Sequence, residues 1–194
     1  MLKSGFPRGM IAMLMLSVFA MAGCGDSNSV TGSIPTGGAN LANMPISAAN
    51  AVTVFASANQ AIGNAISSVF AQASKKPVAS PALAKSFSSV TVNGKSSGKI
   101  TASGDYNSGS SDVSMTSKVT FDNFSDDGKL FAGGTLDISY SLPNSNPQGI
   151  TTAYKGSLAF AGDFKGMMSF DITNSGGKLS GSYTAGTQTI RIGS

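Results

Sequence analysis

Val113-Ser-Met-Thr-Ser-Lys-Val-Thr-Phe121 sets apolar side chains at 113, 115, 119 and 121, with polar ones at nearly every position between. Successive side chains of a strand point to opposite faces, so this alternation describes a strand with one buried and one wet side. The period of two returns in Leu136, Ile138, Tyr140 and Leu142, in Tyr154, Leu158 and Phe160, and in Met168, Phe170 and Ile172. Outward positions hold Ser, Thr, Lys and Asp. From Phe87 onward the sequence therefore predicts half-buried strands.

The breaks between these runs are short turn signals: Asn93-Gly94, Asn107-Ser-Gly109, Asp126-Asp-Gly128, Asn174-Ser-Gly-Gly177 and Ala185-Gly186. Pro143-Asn-Ser-Asn-Pro-Gln-Gly149 is longer. Connections this brief join antiparallel neighbours, so residues 86–194 should form a meander of about seven or eight strands. Gly104, Gly134, Gly156 and Gly181 fall inside strand patterns, which suits tight bends or close approach of another element. The expectation is a strongly curved sheet or a barrel. A transmembrane barrel is disfavoured, because its apolar face would not be so rich in Gly and Ala and its aromatic girdles are missing, with no Trp in the chain.

Residues 46–73 have a different period. Val52, Phe55, Asn59, Ile62, Ile66, Val69 and Ala73 recur at steps of three and four, the spacing of one helix face. Ser47 is placed to cap the start, and Lys75-Lys76-Pro77 supplies cations and a breaker at the end. Ser57, Asn64, Ser68 and Gln72 make the other face polar but uncharged, unlike a helix that lies on a membrane. The helix is expected to pack on the apolar side of the sheet, giving a mainly β, α+β domain. Residues 74–85 read as a connector, and residues 25–45, rich in Ser, Gly, Asn and Thr without apolar periodicity, read as a flexible tether.

The chain carries no histidine and no glutamate, so imidazole-based triads and imidazole ligands are excluded. No phosphate-binding loop or dinucleotide fingerprint occurs. Asp122-Asn-Phe-Ser-Asp126-Asp127-Gly128 lacks the spaced oxygens and closing Glu of an EF-hand and reads as a hairpin turn. Basic residues are scattered with no interleaved aromatics, which argues against nucleic acid. No catalytic residues, metal site or cofactor are expected.

The amino end has three parts. Lys3 and Arg8 give a positive start, residues 10–20 are apolar and too short for a comfortable membrane span, and Met21-Ala-Gly-Cys24 follows. Cys24 is the only cysteine. This arrangement resembles the lipobox of bacterial lipoproteins, although Met21 stands where Leu is usual. The resemblance implies cleavage before Cys24 and acylation of its thiol and new amine, leaving 171 residues and a formal charge lowered from +4 to about +2. It also implies a cell-envelope location, and Gly25 directly after the cysteine favours the outer membrane. The organisation is then a signal peptide at 1–23, a lipidated tether at 24–45, the helix and connector at 46–85 and the meander at 86–194.

Two functions fit. One is a non-catalytic binding or structural module of the envelope, anchored through its acyl chains, whose exposed sheet face or edge meets another protein or a surface polymer. The alternative is a carrier of a lipid or other apolar ligand beneath the helix, lined by Met115, Phe160, Phe170 and Met167 or Met168, because Met-rich linings adapt to varied shapes. In outline the carrier resembles the half-barrels of periplasmic lipoprotein carriers, a likeness of expected shape with no shared motif.

Overall fold

The computed structural model describes residues 43–73, 84–108, 112–143, 146 and 149–193. The signal peptide, Cys24, nearly all of the tether, Lys75-Lys76-Pro77 and most of the connector lie outside those residues.

Chain order is β1 (Met44–Pro45), α1 (Ala51–Ala73), β2 (Ala84–Asn93), β3 (Ser97–Ser108), β4 (Asp112–Ser125), β5 (Leu130–Pro143), β6 (Thr151–Gly162), β7 (Phe164–Ser175), β8 (Lys178–Ala185) and β9 (Gln188–Ile192). β2 to β9 pair in sequence order, every pair antiparallel, as the short turns require. Among the described residues the fold is mainly β with one helix, and the sheet is open. β2 and β9 are its edges and do not pair with each other, which removes the barrel alternative. β1, which the sequence did not signal, adds in parallel to β7, with Met44 opposite Phe164.

The turn between β6 and β7 also went unsignalled. It is a tight reversal at Gly162-Asp163, where Asn43 N–H donates to Gly162 O at 2.6 Å and Asp163 N–H donates to Lys129 O at 2.8 Å. β4 contains a bulge between Phe121 and Phe124, with Asn123 at φ 49°. Residues three apart would face opposite sides of a regular strand. The extra residue turns both rings inward, where they are 3% and 2% exposed and meet edge to face at 6.0 Å. Asn accepts the left-handed backbone this needs more readily than most residues.

Gly134 and Gly156 stand within β5 and β6 at φ 131° and 143°. A Cβ on Gly156 would lie 2.4 Å from Thr135 O, so the chain here is closed to any side chain.

α1 begins at Ala51, five residues later than the periodicity predicts. Asn50 Oδ1 accepts the Ser47 N–H at 2.9 Å, Asn50 Nδ2 donates to Pro45 O, and Asn50 O accepts from Val54 N–H. Asn50 therefore flanks the helix, and Ser47 sits in the preceding turn. The buried stripe keeps Phe55, Asn59, Ile62, Ile66 and Val69 of the expected face and is wider than it. Ala51, Val54, Phe55, Ala58, Asn59, Ile62, Ile66, Val69 and Phe70 are buried, whereas Val52 is 57% exposed and Ala73 is half-buried.

Candidate binding face

The wet side of the sheet becomes ordered once register is considered. Thr91 pairs with Thr101, then Thr120, Thr135, Ser157, Ser169, Thr184 and Thr189 follow, one from each strand of the meander. Each is exposed or half-buried. With neighbouring strands about 4.8 Å apart, this hydroxyl row crosses on the order of 34 Å. Neighbouring oxygens bond in pairs, Thr120 with Thr135 at 3.4 Å, Ser157 with Ser169 at 2.7 Å and Thr184 with Thr189 at 2.9 Å.

One step along the strands lies a second row: Ser103, Lys118, Asp137, Lys155, Asp171, Ser182 and Arg191. Its four central residues alternate in sign. Lys118 and Asp137 approach to 3.8 Å, and Lys155 Nζ donates to Asp171 at 2.8 Å. The hydrogen bond and charge of Asp171 hold the Lys155 ammonium above its ordinary pKa. The row borders a shallow depression of about 580 Å³, open to solvent, with Thr116, Ser139 and Ala153 on its other side. Opposite charges across a sheet favour pairing, and here they also cancel. The face is polar, hydroxylated and without net charge at its centre.

The residues named for an apolar ligand lie on the other side. Met115, Phe160, Met168 and Phe170 are all buried, at 1%, 4%, 0% and 2% exposure. Met168 rather than Met167 faces inward; Met167 is 62% exposed. Phe160 and Phe170 meet edge to face at 6.4 Å, and Met168 lies opposite Leu158 of β6 and Ala185 of β8. Met115 is on β4, opposite Tyr106 and Tyr140, and all four belong to one buried apolar cluster.

Phe55 stacks on Tyr183 at 4.3 Å and lies 6.4 Å from Phe170, while Phe70 meets Tyr106 and Tyr140 edge to face. Tyr154 O–H donates to Asn59 Oδ1 at 2.6 Å, inside the buried cluster. Burial pushes the Tyr154 and Tyr183 phenols above their ordinary pKa, and burial together with the neighbouring Tyr106 raises Tyr140 to about 12.

The Asp-rich segment is a turn. Asp127 Oδ1 accepts the N–H of Lys129 and of Leu130 at 2.8 and 3.1 Å, and the Ser125 hydroxyl at 3.3 Å. Burial pushes the Asp127 pKa upward, but these bonds outweigh it and hold it below the ordinary value. Asp126 accepts the Lys95 N–H, linking this turn to the neighbouring one. Among the described residues no three acidic side chains gather as a metal site would need, and no helix is long and apolar enough to cross a membrane.

No family model matches the chain, and no curated protein or solved structure matches it. The hydroxyl row was not legible in the sequence as a row. The outward Ser and Thr are visible one by one, but the bulge between Phe121 and Phe124 shifts the register by one residue, so counting outward from the turns does not align them.

Proposed function

We propose that this chain is a non-catalytic binding module of the bacterial envelope, tethered by an acylated Cys24 and holding a hydroxyl-rich surface polymer, a polysaccharide, on its wet sheet face. The observation that carries the reading is the row of eight hydroxyl residues across eight strands. Such a row offers donors and acceptors at every strand, and the alternating Lys and Asp beside it leave no net field that would select an ion or a nucleic acid. The outward positions of the two rows hold no aromatic ring, so stacking on a single sugar contributes nothing. Affinity would then come from many weak contacts along an extended ligand.

In this reading the sheet curves at its in-strand glycines and α1 covers the concave side. The Phe55–Tyr183 stack and the Asn59–Tyr154 bond support a filled core on that side. The tether holds the domain clear of lipid head groups, and Gly25 directs the protein to the outer membrane.

Two measurements test the reading. Detergent-solubilised protein should co-sediment with insoluble envelope polysaccharide, and a protein left wholly in the supernatant contradicts it. Native mass spectrometry should give the mass of the chain and its acyl groups alone. An additional lipid bound in stoichiometric amount would replace the proposal by the carrier, with Met115, Phe160, Met168 and Phe170 as its lining.

A further inference from the structure

The two edges of the sheet differ. On β2 the pairing skips between Phe87 and Val90, and Ser89 has φ 54°. Such a bulge twists an edge away from strand addition. β9 pairs with β8 without a break from Gln188 to Ile192. The turn between them fixes which groups of β9 are free. Ala185 and Gln188 lie opposite each other across two residues, the position of the hydrogen-bonded pair that closes a tight turn. Hydrogen-bonded and non-hydrogen-bonded pairs alternate along an antiparallel ladder, so Ile190 and Ile192 also bond to β8. The N–H and C=O of Thr189 and Arg191 then point away, to an edge that no strand among the described residues occupies.

We infer that this edge is a self-association site, on which β9 of a second copy of the chain lies antiparallel with Ile190 at the two-fold axis. In that register Thr189 faces Arg191 of the second copy, and the same pairing repeats across the axis. The four free backbone groups of each β9 all find partners, in four hydrogen bonds. Arg191 meets a threonine rather than itself, so no like charges oppose. Ile190 and Ile192 are half-buried, unlike the fully buried Tyr183 beside them, and a neighbouring strand would cover what they leave open. The alternative, β9 of one copy on β2 of the next, is head-to-tail and runs on as a filament, and the bulge at Ser89 opposes it. The closed dimer instead carries the wet face on as one continuous sheet and doubles the contacts it can offer.

Disulfide trapping in membranes of the expressing bacterium tests this on the full chain. Opposed residues of a non-hydrogen-bonded pair have Cα atoms about 4.5 Å apart, within reach of a disulfide. Ile190→Cys should give a covalent dimer under mild oxidation, and the parent, with Cys24 alone, should not. Thr189→Cys should give none, because its opposite residue is Arg191. Adding Arg191→Pro to Ile190→Cys should cut the dimer at least tenfold. Proline is accepted within the monomer, since that N–H points outward, but it removes two of the four bonds. The inference is overturned if Ile190→Cys stays monomeric while its circular dichroism matches the parent. It is equally overturned if Thr189→Cys, or the Arg191→Pro variant, cross-links as well as Ile190→Cys.

Discussion

Ser157 and Ser169 face each other across β6 and β7 with their hydroxyl oxygens 2.7 Å apart, one step from the Lys155–Asp171 pair at 2.8 Å. Together they mark the register of the two strands. A slip of two residues would place Lys155 opposite Ser169 or Thr173, losing both contacts at once. The pairs are exposed, and isolated exposed ion pairs add little stability. Their consequence is which side chains line up across the face.

Gly156 tests the close approach within the sheet. Gly156→Ala forces a Cβ to 2.4 Å from Thr135 O in a backbone at φ 143°. The expected loss is about 3 kcal/mol or more, enough to lower the melting temperature by roughly 6–12 °C. Gly133→Ala on the neighbouring strand meets nothing within 4 Å and should leave melting within about 2 °C of the parent. Equal effects from the two substitutions would refute the strand geometry.

Tyr154→Phe should cost about 1–3 kcal/mol, because Asn59 keeps a buried acceptor with no donor. Adding Asn59→Leu removes the stranded group and should restore part of the loss. Urea titration of the parent, the single and the double variant measures both steps. A single variant as stable as the parent would show that the bond does not tie α1 to β6.

The phenols set the alkaline limit. Tyr140 is raised to about 12 from an ordinary 10.0, and Tyr154 and Tyr183 are raised as well. Above pH 10 the unfolded chain releases protons that the fold still holds, so stability present below pH 10 is lost as pH climbs toward 12. Melting temperature followed from pH 8 to 11.5 should fall above about pH 10. Tyr140→Phe should fall less steeply, and identical slopes would contradict this origin.

Fold class was legible because a period of two survives in runs such as Val113–Phe121, and the turn residues announce most reversals. What the sequence hid was set by tertiary geometry. Phe124 breaks the alternation until the bulge at Asn123 brings it inward. Val52 fits a helical stripe drawn through Phe55 and Ile62, but it is exposed, while Ala51 and Val54 are buried. Asn50 overrode Ser47 as the flanking residue because its amide reaches both Pro45 and Ser47. Gly162-Asp163 carries no such turn signal, because one residue between strands leaves no cluster of turn formers. The outward Ser and Thr were visible as polar positions, but their alignment into a row depends on register across seven pairings.

The proposed acylation of Cys24 predicts incorporation of a fatty-acid label into the protein in growing cells. Cys24→Ser should abolish labelling and release the chain from the membrane fraction, since about 0.8 kcal/mol per buried CH₂ is lost with the acyl chains. A Cys24→Ser protein that stays membrane-bound would point to a different attachment.

The central claim is that the hydroxyl row holds a polysaccharide, and a binding isotherm on insoluble envelope polysaccharide addresses it most directly. The variant combines Thr120→Val, Thr135→Val, Ser157→Ala and Ser169→Ala, which empty the middle of the row and leave the buried side untouched. The account predicts at least tenfold weaker binding by this variant at unchanged circular dichroism. Undiminished binding by a folded variant, or no binding by the parent, would contradict it.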